Sequence, residues 1–175
     1  MPRRIVLTGG PGGGKSSLIE ALARQGYPHA PEAGRAIIRD QVAIGGRALP
    51  WADVELFAEL MLAFDLRSHG EADGTTFFDR GIVDTVGYLR LEGRPVPEHL
   101  LTAARAFGYD AVFVAPYWPE IYTQDAERKQ SPEVAKATCE AVVAAYREFG
   151  YSPVELPLVD VEQRRDFVLG RLAAR

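Results

Sequence analysis

The sequence predicts an α/β fold in three layers, with helices on both faces of a five-stranded parallel sheet. Two observations lead there. Short β-rich runs alternate with longer segments of helical period from end to end, and a glycine-rich turn stands directly between the first strand and the first helix. A third sets the scale, since 175 residues at 47% hydrophobic composition suffice to bury one core, so residues 1–175 are read as a single domain.

In order, Arg4 to Leu7 forms the first strand, and a helix follows the glycine turn from Lys15 to Arg24. A weak second strand near Tyr27 to Ala30 precedes a helix over Ala33 to Ile44. Asp53 then has the place of an N-cap for a long helix reaching Ser68, along which Val54, Phe57, Ala58, Met61 and Phe64 keep one apolar face, read as core packing. Thr75 to Phe78 is the third strand, closed by Asp79. Helices over Ile82 to Leu91 and Glu98 to Ala106 lead to the fourth strand, Ala111 to Ala115. Ser131 caps a helix with Pro132 in its first position, Val154 to Leu156 is a short fifth strand, and Asp160 with Gln163 resembles a capping box for the last helix. Helical crossovers make the sheet parallel, so ligands gather at the carboxyl ends of its strands, where Gly9, Glu32 and Asp79 emerge.

A net charge of −4 and an isoelectric point near 5.4 supply no general basic footprint, which argues against nucleic acid and anionic membranes as partners and leaves phosphate recognition to local loops. The single Cys139 rules out an intramolecular disulfide and falls inside a predicted helix as a small core residue, in keeping with a reducing, cytoplasmic compartment. The apolar run Ile5 to Leu7 is too short for a signal peptide or a membrane span.

Gly9, Gly10, Pro11, Gly12, Gly13, Gly14, Lys15 and Ser16 satisfy the pattern G-x-x-x-x-G-K-[ST] of a P-loop, in the strand-to-helix setting that pattern requires. Glycines let successive backbone N–H groups point into one concavity, and the helix start adds partial positive charge. The expected ligand is a nucleoside triphosphate, ATP, with Lys15 on the β- and γ-phosphates, Ser16 ligating Mg²⁺ and Ser17 near the α-phosphate. Asp79 fits the second signature of such proteins, a strand-end carboxylate that holds Mg²⁺ directly or through water; capping the next helix is the alternative use of an Asp there.

Arg80 follows where many P-loop ATPases place a Glu to activate water. A basic residue suits gripping an anionic group or steadying the transferred phosphoryl, which favours kinase chemistry over hydrolysis. The chain contains no asparagine, so the Asn-Lys-x-Asp loop of GTPases is absent, and the Asp84 to Gly87 match to a D-x-x-G box is a coincidence. Tyr117 to Gln130, with Gln124, Asp125, Glu127, Arg128, Lys129 and Gln130, has the place and composition of a lid over about residues 117–131. Arg128 and Lys129 would close on the phosphates, or else this is a solvated charged loop. Glu32, Arg35, Arg80 and Asp84 are the charged groups best placed to hold an acceptor, unless they are surface ion pairs or caps, and Glu32 or Asp79 is the candidate general base.

The Thr-Gly-Gly-Pro-Gly-Gly-Gly-Lys-Ser-Ser loop, Pro-Glu-Ala-Gly-Arg at 31 to 35, Phe-Phe-Asp-Arg-Gly at 77 to 81 and the Asp125 to Arg128 segment together resemble the AAA-domain family of small predicted ATPases, over nearly the whole chain. That family looks like the nucleoside and nucleotide kinase branch of P-loop proteins and has a ribosylnicotinamide kinase domain among its relatives. The resemblance implies a three-layer P-loop NTPase fold with a lid and ATP-dependent phosphotransfer. By motif it puts phosphates on Gly9 to Ser17, the metal on Ser16 and Asp79, the acceptor on Arg80 and closed-state phosphates on Arg128. The arginine-finger and sensor regions of ring ATPases are missing, so no ring is expected. The first expectation is a kinase moving the γ-phosphoryl group of MgATP to a small-molecule acceptor. The second is a nucleotide-dependent switch or slow NTPase acting on a protein partner.

Overall fold

The computed structural model describes residues 2–121 and 131–174. Its elements run β1 (Arg3–Gly9), α1 (Lys15–Arg24), β2 (His29–Ala30), α2 (Ala33–Ile44), α3 (Val54–Glu71), β3 (Thr75–Asp79), α4 (Ile82–Leu91), α5 (Glu98–Ala106), β4 (Ala111–Ala115), α6 (Pro132–Glu148), β5 (Val154–Glu155) and α7 (Val161–Ala173), with a single 3-10 turn at Pro119–Ile121. All strands are parallel in the order β2-β3-β1-β4-β5.

Both faces of the central strands are buried, and their side chains divide by the period of two. Val6, Phe78 and Val112 pack under α3, α4, α5 and α6, whereas Ile5, Leu7, Phe77 and Phe113 pack under α1 and α7. The edge strands are shorter than the sequence suggests. Tyr27 does not pair in β2, because its amide closes the end of α1 on the Leu22 carbonyl, while its ring packs edge-on against Phe77. The expected caps are present: Asp53 accepts from the Leu56 amide at 3.0 Å, Ser131 from Val134 at 3.3 Å and Asp160 from Gln163 at 2.8 Å. The α3 stripe is only partly core. Phe57 and Met61 also form the wall of a cleft that opens between α2, α3 and α4.

The register brings the functional strand ends together. Leu7 lies beside Asp79 and Gly9 beside Ala115, so the glycine turn after β1 and the residues after β3 share one rim of the sheet. Among the described residues, no helix is long and apolar enough to cross a membrane.

Candidate active site

The turn after β1 is held by close backbone packing. A Cβ on Gly9 would run into the Ala115 carbonyl oxygen, and one on Gly10 into that of Ala135. Gly9 and Gly14 also have φ values of 127° and 81°, which side-chain-bearing residues rarely adopt. α1 then starts from Gly14 with no side-chain cap, so its first N–H groups face the cleft unclaimed by a side chain, the arrangement that receives anions. Lys15 is 6% exposed and donates to the Gly10 carbonyl at 2.7 Å. Burial, and next the positive charge of Arg80, lower its pKa to about 8.

Asp79 ends β3 and is not among the residues that line the cleft. Its Oδ1 is buried without a hydrogen-bond partner, and burial raises its pKa despite the nearby Lys15 cation. The orphaned Asp79 oxygen at the end of β3 and the exposed Ser16 hydroxyl are hard oxygen donors. They fit Mg²⁺, which takes one or two protein ligands and completes its shell with phosphate and water.

Arg80 is the one residue other than glycine with positive φ among those described, at 70°. Such a conformation costs about 1–3 kcal/mol and persists only where surroundings impose it. Here its Nη1 donates to the Gly9 carbonyl at 2.7 Å, and its guanidinium lies 3.4 Å from Asp84 and 3.5 Å from Glu32. Burial pushes the Arg80 pKa down, but Glu32, Asp84 and Asp79 outweigh it and raise it. Asp84 takes hydrogen bonds from the Thr8 hydroxyl, from Tyr146 at 2.7 Å and from the Gly81 amide at 2.9 Å. It is therefore a buried brace for Arg80 and for the start of α4. Glu32 caps α2 only through its backbone, leaving its carboxylate to pair with Arg35 at 3.3 Å as well as Arg80.

A cleft of about 1360 Å³ runs from the turn to the α3–α4 groove, beyond the ~300–1,000 Å³ of a site for one small ligand. Pro11 to Ser17, Glu32, Arg35, Arg80 and Asp84 line it. Arg128 and Lys129 lie outside the described residues, as do Gln124, Asp125, Glu127 and Gln130. Sequence reading missed Arg164, on α7. It is 2% exposed, donates to the Gly13 carbonyl at 2.6 Å and the Pro157 carbonyl at 2.8 Å, and lies 4.6 Å from the Trp118 ring centroid. Its Nη2 is buried without a partner, and burial lowers its pKa. Trp118 and Arg164 both line the cleft beside the loop, a flat cationic platform suited to a base. Cys139, half-buried on α6, has its thiol pKa raised by burial.

Fold and loop together define a P-loop nucleotide-binding protein. The chain belongs to the AAA domain family, whose model matches residues 4–164. No curated protein matches it. The fold is shared with solved kinases. Deoxyadenosine kinase from M. mycoides, solved with the products dCMP and dCDP, superposes with a TM-score of 0.70 at 13% identity, over 98% of this chain and 100% of that one. The NadR protein in complex with NR gives 0.69 at 18%, over 97% of this chain and 49% of that one. Thymidylate kinase from Ehrlichia chaffeensis gives 0.66 at 13%, over 97% and 98%.

Proposed function

We propose that the protein is an ATP-dependent kinase that transfers the γ-phosphoryl group of MgATP to a hydroxyl of a small-molecule acceptor. The observation that carries this reading is Arg80, held in a strained backbone conformation between the Gly9 carbonyl and the carboxylates of Glu32 and Asp84, where a water-activating acid stands in many ATPases. The uncapped start of α1 and Lys15 bind the phosphates. Trp118 and Arg164 face the base. Mg²⁺ held by Ser16 and Asp79 would neutralise charge on the phosphate oxygens.

Glu32 takes the acceptor hydroxyl proton as the oxygen forms its bond to the γ-phosphorus and the bond to ADP breaks, giving ADP and a phosphate ester. Arg80 steadies the transferred group's equatorial oxygens, and Asp84 holds Arg80 in place. Arg35, paired to Glu32 at the cleft rim, touches the acceptor, and Arg128, outside the described residues, keeps the phosphate role that its sequence motif implies. The kinases of like fold, which act on nucleosides and nucleotides, support the reaction class.

The test is ADP formation from MgATP by the wild type and Asp79→Ala, with and without a panel of nucleosides, nucleotides, ribosides and small alcohols. An acceptor that accelerates ADP release and gains one phosphoryl group by mass, only with the wild type, is the expected result. Slow turnover indifferent to every acceptor would replace this reading with a regulatory NTPase acting on a protein partner.

A further inference from the structure

One carboxylate in the cleft has no task in this scheme. Asp65 lies on α3, faces the α3–α4 groove and is 6% exposed. Its neighbours are occupied: Asp84 takes Thr8, Tyr146, Gly81 and Arg80, and Glu32 takes Arg35 and Arg80. No hydrogen bond or ion pair from a described residue reaches Asp65. Burial, and then the negative charges of Asp84 and Glu32, raise its pKa well above the usual carboxylate range.

The Asp65 oxygens are not among the fully enclosed atoms without a partner, so the carboxylate opens onto the cleft, where its partial desolvation still costs stability. Its place there is accounted for if a ligand supplies the missing donor. The groove beside it has a consistent shape. Phe57, Met61 and Tyr88 line it, the Phe57 and Tyr88 rings edge-to-face with centroids 5.7 Å apart, and the Tyr88 hydroxyl is a buried polar atom without a partner. These walls suit a flat apolar body. Asp65, Asp84 and Glu32 put three carboxylates within electrostatic reach of one another at this end of the cleft, a field that disfavours a phosphate on the acceptor.

We propose that Asp65 is the residue that selects the acceptor, taking a hydrogen bond from an O–H or N–H group of a flat-bodied alcohol that carries no phosphate of its own. The inference rests on the kinase reading for the reaction, but binding can be measured apart from transfer. Asp65 touches neither the reacting hydroxyl nor ATP in this scheme, so its loss falls on acceptor affinity.

The experiment uses the full chain, its Asp65→Asn variant and, against misfolding of that variant, Asp65→Leu. Calorimetry with a non-hydrolysable ATP analogue bound follows a panel of ribosides and deoxyribosides and their 5′-monophosphates, and transfer from MgATP is followed in parallel. An unphosphorylated member should bind the wild type, its monophosphate at least about tenfold more weakly. The loss of one hydrogen bond to a charged group predicts roughly a tenfold to hundredfold weaker acceptor in Asp65→Asn, seen in KM more than kcat, with affinity for the analogue unchanged. Without acceptor, Asp65→Leu should unfold at higher urea than the wild type. Preference for monophosphates, no binding by any panel member, unchanged acceptor affinity in Asp65→Asn, or a lower urea midpoint for Asp65→Leu would each overturn the assignment. Binding that depends on Asp65 without any transfer would sink the kinase reading and leave this one standing.

Discussion

Binding of MgATP should draw a proton onto Lys15. With a pKa of about 8 in the ligand-free fold, roughly half of the Lys15 amines are charged at about pH 8 and about one in eleven at about pH 9. A triphosphate favours the charged form and raises that pKa. Complex formation therefore takes up about half a proton at the lower pH and about nine-tenths at the higher, and recharging the amine at about pH 9 costs about 1.4 kcal/mol, a tenfold loss of affinity. The sign follows from the direction of the shift. A lysine pKa depressed by the fold makes the ligand-free protein more stable above 10.5 than below 8, and phosphate reverses the depression. The nucleotide adds nothing in this window, because the second ionisation of a phosphate monoester lies near about 6. Calorimetry in two buffers of different ionisation enthalpy measures the uptake directly. Lys15→Arg, charged throughout, should show none. Absence of uptake by the wild type, or equal uptake by the arginine variant, would refute the buried-cation account.

Four further outcomes follow. Asp79→Asn should lose at least about a hundredfold in phosphoryl transfer, yet gain stability in urea. The folded pKa of Asp79 is raised, so its penalty grows as pH rises above 3.8, and the gain should vanish in acid. Arg80→Gly should relieve about 1–3 kcal/mol of backbone strain while cutting turnover by roughly 10³-fold, and a turnover assay beside an unfolding curve separates the two. Tyr146→Phe removes one donor from buried Asp84 and should lower stability by about 1–3 kcal/mol, read from the urea midpoint. Trp118→Ala should weaken nucleotide binding about fivefold through the lost face beside Arg164, read by titration with a fluorescent nucleotide.

The layered sheet was legible because each central strand announces itself locally, and the P-loop because it is one contiguous motif whose chemistry depends on neighbours in sequence. Asp79 and Arg80 were legible by position alone, as residues closing a strand. The rest of the site depends on contacts between distant segments. Arg164 bonds to Gly13 across 151 residues, and as one of two adjacent arginines on a late helix it gave no signal of its own. Asp65 was hidden inside an apolar stripe that read as core. Phe57 and Met61 do pack inward, but they also wall the cleft, and helical period cannot separate the two uses of one face. Thr8 and Tyr146 join the site only through Asp84, to which both donate.

The bare beginning of α1 carries a consequence for the life of the protein. A helix end without a cap, an orphaned Asp79 oxygen and a desolvated Lys15 each cost the fold stability, and a bound triphosphate with its metal would offset them. At a concentration of about a hundred times Kd, a ligand bound only by the native state adds about 2.7 kcal/mol and thins the unfolded population about a hundredfold. Starved of nucleotide, the chain would open more often and meet proteases sooner. Its abundance would then follow the energy charge of its surroundings through folding equilibrium alone.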